Sequence, residues 1–206
     1  MIATLSVFSG PMFAGKTSAL IQAINQSKTD TGNAVVIIKP AMDNRYADKA
    51  IVSHDGVSHL ALPVTSAADI IAAVAEASSQ AGEPATLFAD EVQFFDKPSF
   101  DGDFHLLVHT LLQAGHRVIC CGLDMDWRGL PFDVTARLLA MADHVTKLTA
   151  RCSVTGLPAQ KTYKRVVDDA RVAVGAAETY EARSNTAWEG VERQVEFEAR
   201  LTSSRA

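Results

Sequence analysis

The sequence predicts an α/β fold: a mainly parallel, phosphate-loop NTPase-like sheet core with helices on both faces, plus a small second lobe. Three observations predict it. Strand-like and helix-like stretches alternate from residue 2 to about residue 149. The strand-like runs are continuously apolar, which suits strands buried on both faces of a parallel sheet. Residues Gly10-Pro11-Met12-Phe13-Ala14-Gly15-Lys16-Thr17 fit G-x-x-x-x-G-K-[ST] between the first such strand and the first such helix. That is the context a phosphate-binding loop requires.

Ile2 to Phe8 is the first strand, and Ser18 to Gln26 is the first helix-like stretch. Ala34-Val35-Val36-Ile37-Ile38-Lys39 reads as a second buried strand. Ser66 to Ala81 is a helix, with Ser66 as cap, Asp69 three residues on as its reciprocal partner, and Gly82 just past the end. Thr86 to Ala89 is a strand that delivers Asp90 and Glu91. Phe104 to Ala114 is a helix stopped by Gly115, and its apolar residues offer a packing face. Arg117 to Cys121 is a strand, Phe132 to Met141 a helix, and His144 to Leu148 a strand. The alternation weakens from Ala150. This divides the chain into a core over 1–149, a small lobe over 150–187 and a terminal helix or tail over 188–206.

Composition sets the class. The net charge is −5, so no basic surface announces nucleic acid. No apolar run approaches transmembrane length, and no positive segment precedes the first strand as in a signal peptide. Cys120 and Cys121 are adjacent in a strand, so their side chains point to opposite faces; they read as small buried residues. Reduced cysteines point to the cytoplasm, without membrane or nucleic-acid partners.

The phosphate loop assigns roles by residue type. Gly10 and Gly15 permit backbone conformations that turn N–H groups onto phosphate oxygens. Lys16 brings a point charge to the terminal phosphates, and Thr17 offers a hydroxyl to Mg²⁺. Asp90 lies at the carboxyl end of a strand, where open α/β sheets bind ligands, and there it reaches Mg²⁺ directly or through water. Glu91 is the candidate general base: a carboxylate can take the proton of an acceptor hydroxyl.

The phosphate loop, Asp43-Asn44-Arg45-Tyr46, Ser53-His54-Asp55, Asp90-Glu91-Val92-Gln93-Phe94-Phe95 and Leu123-Asp124-Met125-Asp126-Trp127-Arg128-Gly129-Leu130-Pro131-Phe132 occur in this order. Together they closely resemble the thymidine kinase family of the cytosolic, tetrameric type. The resemblance implies transfer of the γ-phosphate of ATP to the 5′-hydroxyl of thymidine, with Mg²⁺, in a homotetramer. Feedback by dTTP is left open. By match of motif, Glu91 is the catalytic base beside Lys16. The ATP and phosphate set comprises residues 10–17 with Asp43, Arg45, Asp90, Glu91 and Gln93, and Thr17 and Asp90 stand around the metal. Met12, Phe94, Leu123 and Trp127 fall on positions lining the base pocket, where the family usually has Phe in place of Trp127. Phe95 and Phe132 read as core aromatics. Arg128 serves either phosphate or a subunit contact.

Val174-Gly175-Ala176-Ala177-Glu178-Thr179-Tyr180 resembles the family's substrate-covering loop. It implies base recognition by backbone groups near Val174 and Gly175, with Tyr180 helping to close the site and Glu178 supporting the sugar end. Family members usually carry a zinc ribbon in this lobe. Here the first pair reads Cys152-Ser153-Val154-Thr155, and Ser184 and Ala187 stand at the second pair. One thiolate cannot make a structural tetrahedral zinc site, so no zinc is expected. Two alternatives stay open beside a kinase: an ATP-driven binding or recombination protein with a related core, and a non-catalytic nucleotide-binding relative.

Overall fold

A computed structural model of the chain describes residues 2–30, 34–42, 50–52, 58–165 and 178–189. The expectations for Asp43, Arg45, Val174, Gly175 and the segment after 189 lie outside the described residues.

Within them, β1 (Leu5–Gly10) leads through the phosphate loop into α1 (Lys16–Asp30), followed by β2 (Val35–Pro40). The short strands β3 (Ala50–Val52), β4 (Ser58–Leu60) and β5 (Leu62–Val64) precede α2 (Ala67–Ala81). Next come β6 (Thr86–Ala89), a 3₁₀ turn at Val92–Phe94, α3 (Phe104–Gln113), β7 (Arg117–Leu123), α4 (Asp133–Met141) and β8 (His144–Lys147). The remaining strands are β9 (Ala150–Arg151), β10 (Pro158–Ala159), β11 (Lys161–Lys164) and β12 (Tyr180–Arg183).

Six strands form one sheet in the order β5-β2-β6-β7-β1-β8, and every neighbouring pair in it is parallel. Side-chain alternation divides the buried residues into two layers. Leu5, Val7, Val36, Ile38, Leu87, Val118 and Cys120 pack with Ile70, Val74, Phe104, Leu107 and Leu138 of α2, α3 and α4. Phe88, Ile119 and Cys121 point the other way, against Leu20, Ile21 and Ile24 of α1. Helices therefore cover both faces, as the continuous apolar strands require.

Local chemistry explains the element ends. Ser66 caps α2 by accepting from the Asp69 N–H, Asp69 accepts from the Ser66 N–H in return, and Gly82 closes the helix in the left-handed region. The expected first strand starts three residues late, and Ile2 is exposed. The packing face expected on α3 is spent within the chain: Phe104, Leu107, Val108 and Leu111 are buried in the core, leaving Leu106 exposed. Phe95, Phe100 and Phe104 form an aromatic cluster with centroids 4.5–6.1 Å apart, the core role expected of Phe95. Phe132 is buried as well.

Among the described residues after 149, β9 pairs with β10 and β11 with β12, each antiparallel. Among these residues Ala150, Cys152, Ala159 and Ala182 form an apolar cluster, with Ala14 of the phosphate loop and Ala187 packed against them.

Candidate active site

The carboxyl ends of β1, β6 and β7 lie side by side, and the candidate residues gather there. The phosphate loop leaves β1 at Gly10, whose φ of +149° lies outside the range L side chains favour. A Cβ there would stand 2.4 Å from the Leu148 carbonyl oxygen. Gly15 and Phe13 also have positive φ, 76° and 65°. Phe13 is a non-glycine residue held in the left-handed region, as strained functional loops often hold one. Pro11 is buried, Met12 and Ala14 are half-buried, and Gly15 is exposed at the loop's mouth. Helix α1 starts at Lys16, with Ala19 N–H donating to the Gly15 carbonyl at 3.0 Å. Its N-terminus thus points its positive dipole end into the loop.

Lys16 is buried, and its Nζ donates to the Pro11 carbonyl at 2.7 Å. Burial pushes the ammonium below the usual lysine range; Glu91, Cys121, Asp90 and Asp124 pull it back up. The lysine is therefore a desolvated cation facing three carboxylates, held by its own loop. Thr17 Oγ1 donates toward both oxygens of Asp90, each at 3.4 Å. Hard oxygen donors on a phosphate loop and on a strand end fit Mg²⁺.

Asp90 is buried at the end of β6. Its Oδ1 accepts from the Glu91 N–H at 3.0 Å and from the Cys121 thiol at 2.8 Å. Cys121 stays a thiol because burial, before the neighbouring carboxylates, raises its pKa well above the ordinary value. Glu91 is half-buried with φ +52°, a left-handed non-glycine residue directly before the 3₁₀ turn. Gln93 was expected among the phosphate contacts. The structure turns its amide nitrogen onto the Glu91 carboxylate and its amide oxygen onto the Leu123 N–H, 2.9 Å away.

The expected base-pocket residues sit on the phosphate loop (Met12), the 3₁₀ turn (Phe94), the end of β7 (Leu123) and the loop after it (Trp127). Met12 N–H donates to Thr162 Oγ1 of β11 at 3.1 Å, tying the phosphate loop to the small lobe. Leu123 ends β7, and Phe94 is half-buried one residue past Gln93. Trp127 is buried, with Arg128 and Lys164 each 5.8 Å from its ring centroid. Arg128 binds Asp126 through Nε at 3.3 Å and Nη2 at 2.9 Å, which gives it a partner within its own loop. Tyr180 is buried and pairs in register with Lys164. Glu178 is exposed. The sequence reading missed Cys121, Thr162 and Lys164. A buried lysine beside an aromatic has no local signal in sequence, and a hydroxyl 150 residues from its partner has none either.

The positions of the expected zinc ligands do converge. Thr155 Oγ1 lies 3.4 Å from Ser184 Oγ, which lies 3.1 Å from Thr186 Oγ1. Thr155 N–H donates to Cys152 Sγ at 3.4 Å. Burial opposes ionisation of Cys152, but hydrogen bonds from Thr155 and from the Ser184, Thr155 and Val154 backbone outweigh it, drawing its pKa down to about 6. One thiol among hydroxyls and Ala187 does not fit zinc. Hydroxyl contacts occupy the ground between the two turns instead. A strong chelator should leave the thermal unfolding midpoint unchanged, because no metal-binding free energy is coupled to folding. Unfolding on chelation, with one zinc per chain by elemental analysis, would contradict this. The thiol adds a pH signature. Its folded pKa lies below the unfolded value, so its stabilisation is full above about pH 9 and is lost as pH falls through about 6. Cys152→Ala should therefore destabilise more at pH 9 than at pH 5. An equal cost at both would remove the thiolate from the lobe's energetics.

Among the described residues, no helix is long and apolar enough to cross a membrane. Domain III of the Thermotoga maritima replication initiation protein DnaA matches structurally at 15% identity and a TM-score of 0.39. The match covers 71% of this chain and about half, 55%, of that one, a likeness too distant to bear on function. The thymidine kinase family profile matches residues 3–188, which takes in the phosphate loop, both carboxylates and the small lobe. With nine-tenths of its sequence inside that profile, and with Lys16, Thr17, Asp90 and Glu91 assembled at one sheet edge, the chain belongs to the thymidine kinase family of transferases.

Proposed function

We propose that this chain transfers the γ-phosphate of ATP to the 5′-hydroxyl of thymidine, giving dTMP and ADP. The observation that carries the reading is the meeting of a desolvated Lys16, the Thr17–Asp90 pair and Glu91 beneath one phosphate loop. Lys16 and the loop N–H groups hold the ATP phosphates, and Lys16 exchanges its Pro11 carbonyl partner for phosphate oxygens. Thr17 and Asp90 would hold Mg²⁺, which when bound neutralises charge building on the phosphates. Glu91 accepts the proton of the 5′-hydroxyl as its oxygen bonds to the γ-phosphorus; the bond from phosphorus to the bridging oxygen breaks, and ADP leaves.

The small lobe over 150–187 acts as the cover of the nucleoside, with the Thr162–Met12 bond joining it to the phosphate loop. Excluding water there protects the phosphoryl group from hydrolysis. The base lies among Met12, Phe94, Leu123 and Trp127, with Val174, Gly175 and Tyr180 closing over it. Asp43 and Arg45 complete the phosphate region. The assembly is a homotetramer working in the cytoplasm, with dTTP as the natural candidate for feedback; light scattering that shows only a 22.1 kDa species would exclude the tetramer.

Thymidine and 5′-deoxythymidine separate this reading from its rivals. ATP consumption should track dTMP formation with thymidine and vanish with 5′-deoxythymidine, which lacks the acceptor oxygen. Equal ATP consumption with both would mean an ATPase, and none with either a non-catalytic binder.

A further inference from the structure

We infer that Gln93 is the positioning residue of the proton-accepting carboxylate, fixing Glu91 to the end of β7 through a two-sided amide. The inference rests on the reading of Glu91 as base. Gln93 is 4% exposed. Its carboxamide has two unlike ends, and the surroundings decide which is which. The Leu123 N–H can only donate, so the atom 2.9 Å from it is the amide oxygen. The amide nitrogen then faces the Glu91 carboxylate and donates to Oε2. The link therefore runs from a rigid strand end, through a buried amide, to the reacting group.

Two further features fit this link. Gly122, next to Leu123, has no positive φ that would demand glycine. A Cβ at Gly122 would instead stand 2.7 Å from Gln93 Oε1 and 2.8 Å from Val92 Cγ2. The glycine serves the close approach of the 3₁₀ turn to β7. Glu91 itself sits at φ +52°, a conformation that persists in a non-glycine residue only where its surroundings enforce it.

Steady-state kinetics of Gln93→Glu, Gln93→Leu and Gly122→Ala, beside Glu91→Gln, test the inference. Gln93→Glu keeps the shape and the acceptor for Leu123 but sets a second carboxylate against Glu91. Its kcat at pH 7 should fall on the order of 10-fold or more, with thymidine KM within about twofold. The loss should fall on kcat alone, because the second carboxylate repels Glu91 from the end of β7 without touching the nucleotide or the base. Gln93→Leu should lose kcat similarly, and Gly122→Ala less, each with ATP affinity near wild type. A merely structural role would lower the unfolding midpoint and raise KM for thymidine and ATP together with the loss of kcat, and that result would overturn the inference. Wild-type kcat in Gln93→Glu, with Glu91→Gln inactive, would overturn it too and leave the base assignment standing. An active Glu91→Gln would remove the base assignment itself, and the inference with it.

Discussion

Glu91→Gln should lower kcat for thymidine phosphorylation by on the order of 10²-fold or more, with folding and ATP affinity close to wild type. A glutamine at 91 still offers Gln93 an amide oxygen, so the hydrogen bond that holds the side chain survives. What it loses is the ability to take a proton. General-base catalysis by a placed carboxylate is commonly worth that factor. The loss should fall on kcat with little change in thymidine KM, since the proton moves only in the transition state. Near-normal turnover by the purified variant would remove Glu91 from the chemistry.

Lys16→Ala should cost as much or more, on the order of 10²–10³-fold in turnover, and should weaken ATP binding as well. The wild-type ammonium is buried among Glu91, Asp90 and Asp124. Removing it deprives the moving phosphoryl group of a partner and leaves three carboxylates without their shared cation. Lys16→Met keeps the aliphatic volume and separates charge from packing. If both variants bind and turn over ATP normally, the loop at 10–17 is only a structural turn.

The sheet core was legible because each of its signals is local. β6 matches its expected range, and α2 carries the expected Ser66–Asp69 box and Gly82 stop. The strands between β2 and α2 escaped the sequence reading for physical reasons. β3, β4 and β5 are three residues each, too short to show a period. β5 contains Pro63, which reads as a breaker yet is tolerated on the edge strand that β5 is. At the site, motif order was enough to single out Lys16, Thr17, Asp90 and Glu91. The partners of those residues were not legible. That Cys121 donates to Asp90, that Gln93 grips Glu91, and that Thr162 holds Met12 depend on how strand ends abut. The convergence of Thr155 and Ser184 is of the same kind: the sequence shows that zinc ligands are missing but not that hydroxyls meet in their place.

In the proposed reaction one site both holds ATP and delivers its γ-phosphate to a nucleoside oxygen. Incubation of the purified chain with γ-labelled ATP, Mg²⁺ and thymidine follows that transfer. The label should appear in dTMP, in step with ADP formed, with little released as inorganic phosphate. Label that stays in ATP, or that passes only to inorganic phosphate, would contradict it.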